Sequence, residues 1–382
     1  MTATIRILHV VSAMNMAGTE TLLMSLYRNI DRGLIQFDFA VSAEAECDYD
    51  DEIMSLGGRV FHYPRYRGIN HFQYRKWWRD FLLEHTEYRI VHGHIGSTAA
   101  IYLGIAKRLN RYTIAHSHST RESISLHSIL YRMYSYPTRF IANFFFGCSR
   151  QALVDRFGRQ VADDNHRSAV LKNGIDVERF KFDQAVRNRV RTEYGVGQGS
   201  IVIGTVGRLT PPKNPLEIIA ICKRLKELGL DYTFWWFGNG ELEDEIAGRI
   251  KRDGLNGTVR LMGSRPDINN VLQGMDIFLF PSIREGLGIA CVEAQAAGLP
   301  TLCSDVIPAE AKITEACRYL PLNDTERWCE EIISLANKVR SNSCGRVDES
   351  KVIRDAGYDI RSISSFLEDF YLAAYEVEIG DE

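Results

Sequence analysis

Short apolar runs rich in β-branched and aromatic residues recur along this chain, separated by stretches of helical spacing. The runs at 5–11, 37–42, 60–63, 90–94, 113–116 and 144–148 predict one set of strands, and those at 201–206, 232–237, 259–262, 277–281, 300–303 and 319–321 a second. Helical spacing fills stretches between them, such as 20–29, 215–228 and 241–252. Strands that are apolar throughout are buried on both faces, and their alternation with helices predicts parallel sheets in an α/β protein. The alternation pauses at 173–199, where Asn173-Gly174, many charges and the cluster Gly195-Val-Gly-Gln-Gly199 predict an interdomain linker. The expected organisation is therefore two doubly wound, Rossmann-like domains, 1–172 and 200–358. A helix at about 359–377 is expected to pack back onto the first. Ligands of such sheets sit at the carboxyl ends of strands, so the loops there should line a cleft.

Composition narrows the classes without changing this picture. With 382 residues, 45% hydrophobic and 25% charged, the chain has ordinary globular make-up and room for two or three domains. A net charge of −3 argues against a nucleic-acid binder. The eight cysteines include no C-x-x-C spacing, which excludes zinc-ribbon and thioredoxin-type motifs and suits reduced thiols of a cytosolic protein. No apolar run reaches 18 residues, so no membrane-spanning helix is expected. The opening run 5–11 is interrupted by His9 and reads as a buried first strand, not a signal peptide.

Two segments carry the chemistry. In Asp276-Ile-Phe-Leu-Phe-Pro-Ser-Ile-Arg-Glu-Gly-Leu-Gly-Ile-Ala-Cys-Val-Glu-Ala-Gln-Ala-Ala-Gly-Leu-Pro300, a buried strand runs into a loop holding Glu285. Gly286 and Gly288 allow close backbone approach there, and the N–H groups opening the next helix, near Leu287 and Gly288, form an anion site. Glu293 follows on that helix. The eight-residue spacing of the two glutamates means nothing alone; its strand–glycine loop–helix context gives it weight. In Gly204-Thr-Val-Gly-Arg-Leu-Thr-Pro-Pro-Lys-Asn-Pro215, a strand ends at Gly207, and Arg208 and Lys213 supply two cations suited to a diphosphate. A third loop, Met14-Asn-Met-Ala-Gly-Thr-Glu20, offers only Gly18 and does not match G-x-G-x-x-G. Gly238-Asn239-Gly240 also lacks the third glycine, and no P-loop occurs.

His92-Gly-His94 and His116-Ser-His118 each place two histidines on one face of a strand end, but no third metal ligand is evident beside either pair. Asp48-Tyr49-Asp50 has a metal-binding D-x-D spacing, yet it opens a short acidic stretch that suits a helix N-terminus. The aromatic and basic stretches 63–79 and 125–146 suit an anionic membrane surface; they also suit a helix burying its rings with its arginines in water.

Taken together, these motifs resemble the retaining, nucleotide-sugar-dependent glycosyltransferases of family 4, with the GT-B fold. The resemblance runs over nearly the whole chain: Gly18, Asn173-Gly174-Ile175-Asp176, Gly207-Arg208-Leu209…Lys213 and Glu285-Gly286-Leu287-Gly288…Glu293. The stretch from Glu285 to Pro300 is similar to the branch that builds bacterial capsular and exopolysaccharides. One departure is Ala17, where many members carry a second glycine. The resemblance implies that Arg208 and Lys213 bind the donor diphosphate, Glu285 the donor sugar and Glu293 the ribose. It implies that the base lies near Gly263 and Arg265, and that a histidine, His118 in preference to His116, stands beside the donor sugar. It implies a UDP-sugar co-substrate with no metal or other cofactor, although no residue excludes GDP. The acceptor would be a saccharide, lipid-linked in this branch, with the protein cytoplasmic or peripheral on the inner membrane face. A nucleotide-sugar epimerase, a pyridoxal-dependent phosphorylase of the same fold, and an inactive sugar-binding partner of an assembly complex are the alternatives.

Overall fold

The computed structural model describes residues 4–118, 133–197, 199–341 and 345–380. The chain divides into two units, Met1–Gly174 with Asp359–Glu382, and Ile175–Tyr358.

The first unit is built on a parallel sheet of β1 (Ile5–Val11), β2 (Ile35–Val41), β3 (Val60–His62), β4 (Ile90–Gly93), β5 (Tyr112–Ser117), β6 (Phe144–Gly147) and β7 (Ser168–Val170). Their order is β3-β2-β1-β4-β5-β6-β7. Both faces are covered, one by a core around Phe37, Phe39 and Tyr27 and the other by a core around Trp78, Tyr102 and Phe145. The helix Ile360–Gly380 closes the first of these. Its Ile360, Ile363, Leu367, Tyr371 and Ala374 recur every three or four residues and are all buried. Strand β7 escapes the sequence reading because three residues, one of them serine, carry no periodicity.

The second unit repeats the plan with β8 (Ile201–Val206), β9 (Tyr232–Phe237), β10 (Val259–Leu261), β11 (Ile277–Phe280), β12 (Thr301–Ser304) and β13 (Cys317–Leu320). They form a parallel sheet ordered β10-β9-β8-β11-β12-β13. The stretch expected as a linker, 173–199, is mostly folded into this unit. It contains the helices Val177–Phe180 and Gln184–Glu193, capped by the side chains of Asp176 and Asp183. Arg187 and the fully buried Arg191 of the latter helix bind the two oxygens of Asp276, at 2.5 and 3.1 Å. High charge in this stretch thus marks a helix docked by ion pairs, which composition alone does not separate from a linker.

Among the described residues no helix is long and apolar enough to cross a membrane.

Candidate active site

In the second unit the strand order reverses between β8 and β11, so the loops after these adjacent strands diverge and leave a crevice at their carboxyl ends. Both sequence-predicted segments are those loops. After β8 the chain passes through Gly207 and the exposed Arg208 into a single turn, Pro211–Lys213. Left-handed Asn214 (φ 55°) and Pro215 then start the helix Pro215–Glu227. After β11, Leu287 is anchored in the core, and Gly288 (φ 87°) opens the helix Ile289–Ala296. A Cβ on Gly288 would lie 2.9 Å from the Phe280 ring, so only glycine fits this left-handed position. No side chain caps that helix; the Cys291 N–H bonds the Gly288 carbonyl at 2.9 Å, which leaves the N–H groups of Ile289 and Ala290 for an anion.

Lys213 joins the two loops. Its Nζ donates to Glu285 Oε1 at 2.6 Å and lies 5.0 Å from the Phe280 ring centroid. Both side chains are largely buried, so the pair is held where solvent screens it weakly. Glu293 stands on the same helix, half-buried, and burial pushes its carboxyl up to about 8, with the Arg179 cation opposing the shift. Arg179, from the helix Val177–Phe180, is a member of this constellation that sequence reading missed, because it lies in the supposed linker.

The β9 loop supports the β8 loop from below. Gly238 (φ 137°) lies so close that a Cβ there would be 2.2 Å from the Gly207 carbonyl oxygen, and one on Gly240 would be 2.3 Å from the Leu209 carbonyl oxygen. The Gly238-Asn239-Gly240 motif is thus a packing device for this loop. Gly263 (φ 70°) follows β10 and accepts a hydrogen bond from the Gly238 N–H at 2.9 Å. Arg265 binds both oxygens of Asp267, at 2.8 and 3.0 Å, which fixes its guanidinium beside that carboxylate. Behind the helix Ile289–Ala296, the buried thiols of Cys291, Cys303 and Cys317 meet, with Sγ–Sγ distances of 3.1 Å from Cys303 to Cys291 and 3.9 Å to Cys317. The seven described cysteines are all free thiols.

In the first unit the order reverses between β1 and β4. Exposed Gly18 starts the helix Gly18–Asn29, and nothing lies within 4 Å of where its Cβ would be. Asp48 and Asp50 are tied to local backbone: Asp48 accepts from the Met16 N–H and Asp50 from the Cys47 N–H. They belong to no three-residue ligand cluster among the described residues. The histidines do. Sheet order places β4 between β1 and β5, so His9 joins the two H-x-H pairs, and the sequence expectation that no third ligand is near is corrected. His118, half-buried just past β5, meets His94 Nδ1 through its Nε2 at 2.8 Å, whereas His116 lies buried in the strand.

Comparison with known proteins agrees with this geometry. Residues 186–334 match the family described as glycosyl transferases group 1. The chain is 32% identical to EpsF of Bacillus subtilis strain 168, named as a putative glycosyltransferase, over 93% of each chain. It is 29% identical, over 55% of each chain, to an Escherichia coli enzyme named as UDP-Gal:α-D-GlcNAc-diphosphoundecaprenol α-1,3-galactosyltransferase. Among solved structures, Anabaena HepE in complex with UDP and glucose superposes with a TM-score of 0.78 at 16% identity, covering 97% of this chain and 100% of that one. The lipopolysaccharide glycosyltransferase WaaG superposes with a TM-score of 0.72 at 16% identity, over 95% of this chain and 99% of its own. Two Rossmann-like sheets of this order are the GT-B architecture, and the chain belongs to the group 1 glycosyltransferase family.

Proposed function

We propose that this glycosyltransferase moves a hexose or amino sugar from a UDP-sugar to a saccharide acceptor with retention of configuration, in the synthesis of a bacterial surface polysaccharide. The observation that carries the reading is the Lys213–Glu285 pair at the glycine-opened start of the helix Ile289–Ala296. It sets a cation for phosphate and a carboxylate for sugar hydroxyls side by side before any ligand arrives. On donor binding Lys213 shares its charge with the diphosphate, joined by Arg208 and the helix N–H groups. Negative charge grows on that diphosphate as the glycosidic bond breaks, and preorganised donors aimed at developing charge are commonly the largest catalytic term. Glu285 accepts from sugar hydroxyls and Glu293 from the ribose, since one carboxylate can serve two hydroxyls. Gly263 and Arg265 border the base, and Gly18 and His118 are the candidates that the first unit offers for the donor. The leaving diphosphate takes the acceptor's proton on the same face through an oxocarbenium-like transition state, so the protein needs no nucleophile and no metal ion.

A lipid-linked acceptor is favoured by the named activity of the E. coli relative and by one face of the first unit. There exposed Phe72 and Phe140, with Arg75, Lys76 and Arg108, line cavities of about 510 and 410 Å3, and Ile69 is exposed just before the helix His71–Glu84. The helix His71–Glu84 buries Tyr74 and Trp78 and leaves its cations in water, so the apolar residues at its start form the part free to enter a bilayer. Phe72→Asp should abolish co-sedimentation with anionic vesicles; unchanged binding would remove the membrane from this account.

The deciding experiment is nucleotide release from a panel of UDP-, GDP- and ADP-sugars, with and without EDTA and a lipid-linked saccharide extract. Release that requires the acceptor and survives EDTA is expected. Conversion of donor without acceptor would indicate an epimerase. No release and no thermal stabilisation by any nucleotide would indicate an inactive binding partner.

A further inference from the structure

Five histidines, His9, His92, His94, His116 and His118, crowd the carboxyl ends of β1, β4 and β5. Parallel pairing sets His9 opposite His92, and the next inward-facing positions carry His94, His116 and His118. Ring centroids are 3.9 Å apart for His116 and His118, 4.4 Å for His92 and His94 and 5.0 Å for His94 and His118. Among the described residues their rings hydrogen-bond only to one another and, from His92, to Tyr371. Five of their ring nitrogens are buried with no partner among the described residues: His9 Nε2, His92 Nε2, both of His116, and His118 Nδ1. Buried polar atoms are nearly always satisfied, and three of these orphans, on the adjacent His116 and His118, call for a ligand. Packing among rings does not account for them, because leucine or phenylalanine would fill the same space without the desolvation cost.

We propose that His94, His116 and His118 bind one divalent transition-metal ion of the zinc class, which the transfer reaction does not use and which restrains it. One nitrogen from each lies within 4.8 Å of the other two. An ion held at about 2.1 Å from each nitrogen needs spacings of roughly 3.4 Å, within reach of small ring rotations. His94 and His118 are half-buried, so the ion has a route from solvent and a fourth position for water. His9 stands behind one ligand, its Nδ1 3.0 Å from His94 Nε2, as an orienting partner does in metal sites. Restraint of transfer rests on the proposed role of His118 toward the donor: an ion on that ring occupies a nitrogen the sugar would need. Ion binding itself does not depend on that role.

The test uses the untagged full chain. Titration with Co2+ should give the visible absorbance of a four-coordinate, nitrogen-ligated ion at one per chain, displaced by Zn2+. His94→Gln and His116→Gln should each weaken Zn2+ binding at least tenfold by calorimetry, while His166→Gln, at an exposed and distant histidine, should not. Absence of the Co2+ spectrum in the parent protein overturns the site and requires no variant to fold; so does unchanged affinity in both variants. With the site filled, transfer should slow several-fold and recover with EDTA. Full activity with the ion bound would overturn the role of His118 at the donor and leave the ion site standing.

Discussion

The two units build the same sheet and then equip its carboxyl edge in opposite ways. In the second unit that edge carries charge: Lys213 against Glu285, Arg208 exposed beside them, and Glu293 sensed by Arg179. In the first unit it carries five imidazoles packed ring against ring, with no carboxylate among their hydrogen-bond partners in the described residues. The contrast teaches that the architecture fixes where a site lies but not its electrostatics, which depend on a handful of residues after a few strands. A group that leaves with growing negative charge needs cations held in place beforehand.

The sharpest way to break this comparison is to remove the charge from the second unit. Lys213→Ala should lower kcat by about 10²–10³-fold, the scale of losing one preorganised donor at a developing oxyanion. Steady-state kinetics decide the matter: a rise in KM alone would make Lys213 a uniform binder, with no special role in the transition state. Next comes the support beneath it. Gly238→Ala places a Cβ 2.2 Å from the Gly207 carbonyl oxygen. It should cost on the order of 3 kcal/mol and lower the melting temperature of the second unit, because backbone must move to relieve the contact.

A third prediction turns on pH. The Glu293 carboxyl sits at about 8 in the folded chain against 4.5 as its ordinary value. Its contribution to stability is therefore full below about 4.5 and is lost as pH rises through 8. Binding runs the other way, because a carboxylate that accepts ribose hydroxyls must first lose its proton. UDP affinity should fall about fivefold between about pH 8 and pH 7, and Glu293→Gln should flatten that profile. Calorimetry across the range checks both. The smallest effect belongs to the first unit. Tyr371→Phe removes the hydroxyl 2.6 Å from His92 Nδ1 and should cost about 1 kcal/mol, seen as a small drop in the unfolding midpoint with kcat little changed. A large loss of activity instead would mean that the histidine cluster is tuned from its far side.

Much of this was legible from sequence, for a physical reason. Buried parallel strands are continuous apolar runs, so β8 and β11 announce themselves, and a glycine loop opening a helix is a local pattern. That is why Glu285, Lys213, Gly288 and Glu293 could be named in advance. What depends on sheet order was not legible. Nothing in the chain says that Lys213 reaches a glutamate 72 positions away, or that β4 lies between β1 and β5 and so gathers three separate histidine positions into one cluster. Arg179 was hidden because a charged, glycine-flanked stretch reads as a linker whether or not its arginines find a buried aspartate such as Asp276.

The helix Ile360–Gly380 gives the molecule a timetable. Its Tyr371 and Leu367 complete the core of a unit whose sheet is encoded almost two hundred residues earlier, with all of Ile175–Tyr358 in between. On the ribosome the second unit can therefore close its core while the first still waits for its last wall. Until that helix emerges, the apolar face around Phe37, Phe146 and His92 is open to water. A chain stopped soon after Tyr358 would thus release a finished second unit attached to an unfinished first, a product for the cell's quality control and not a slower enzyme.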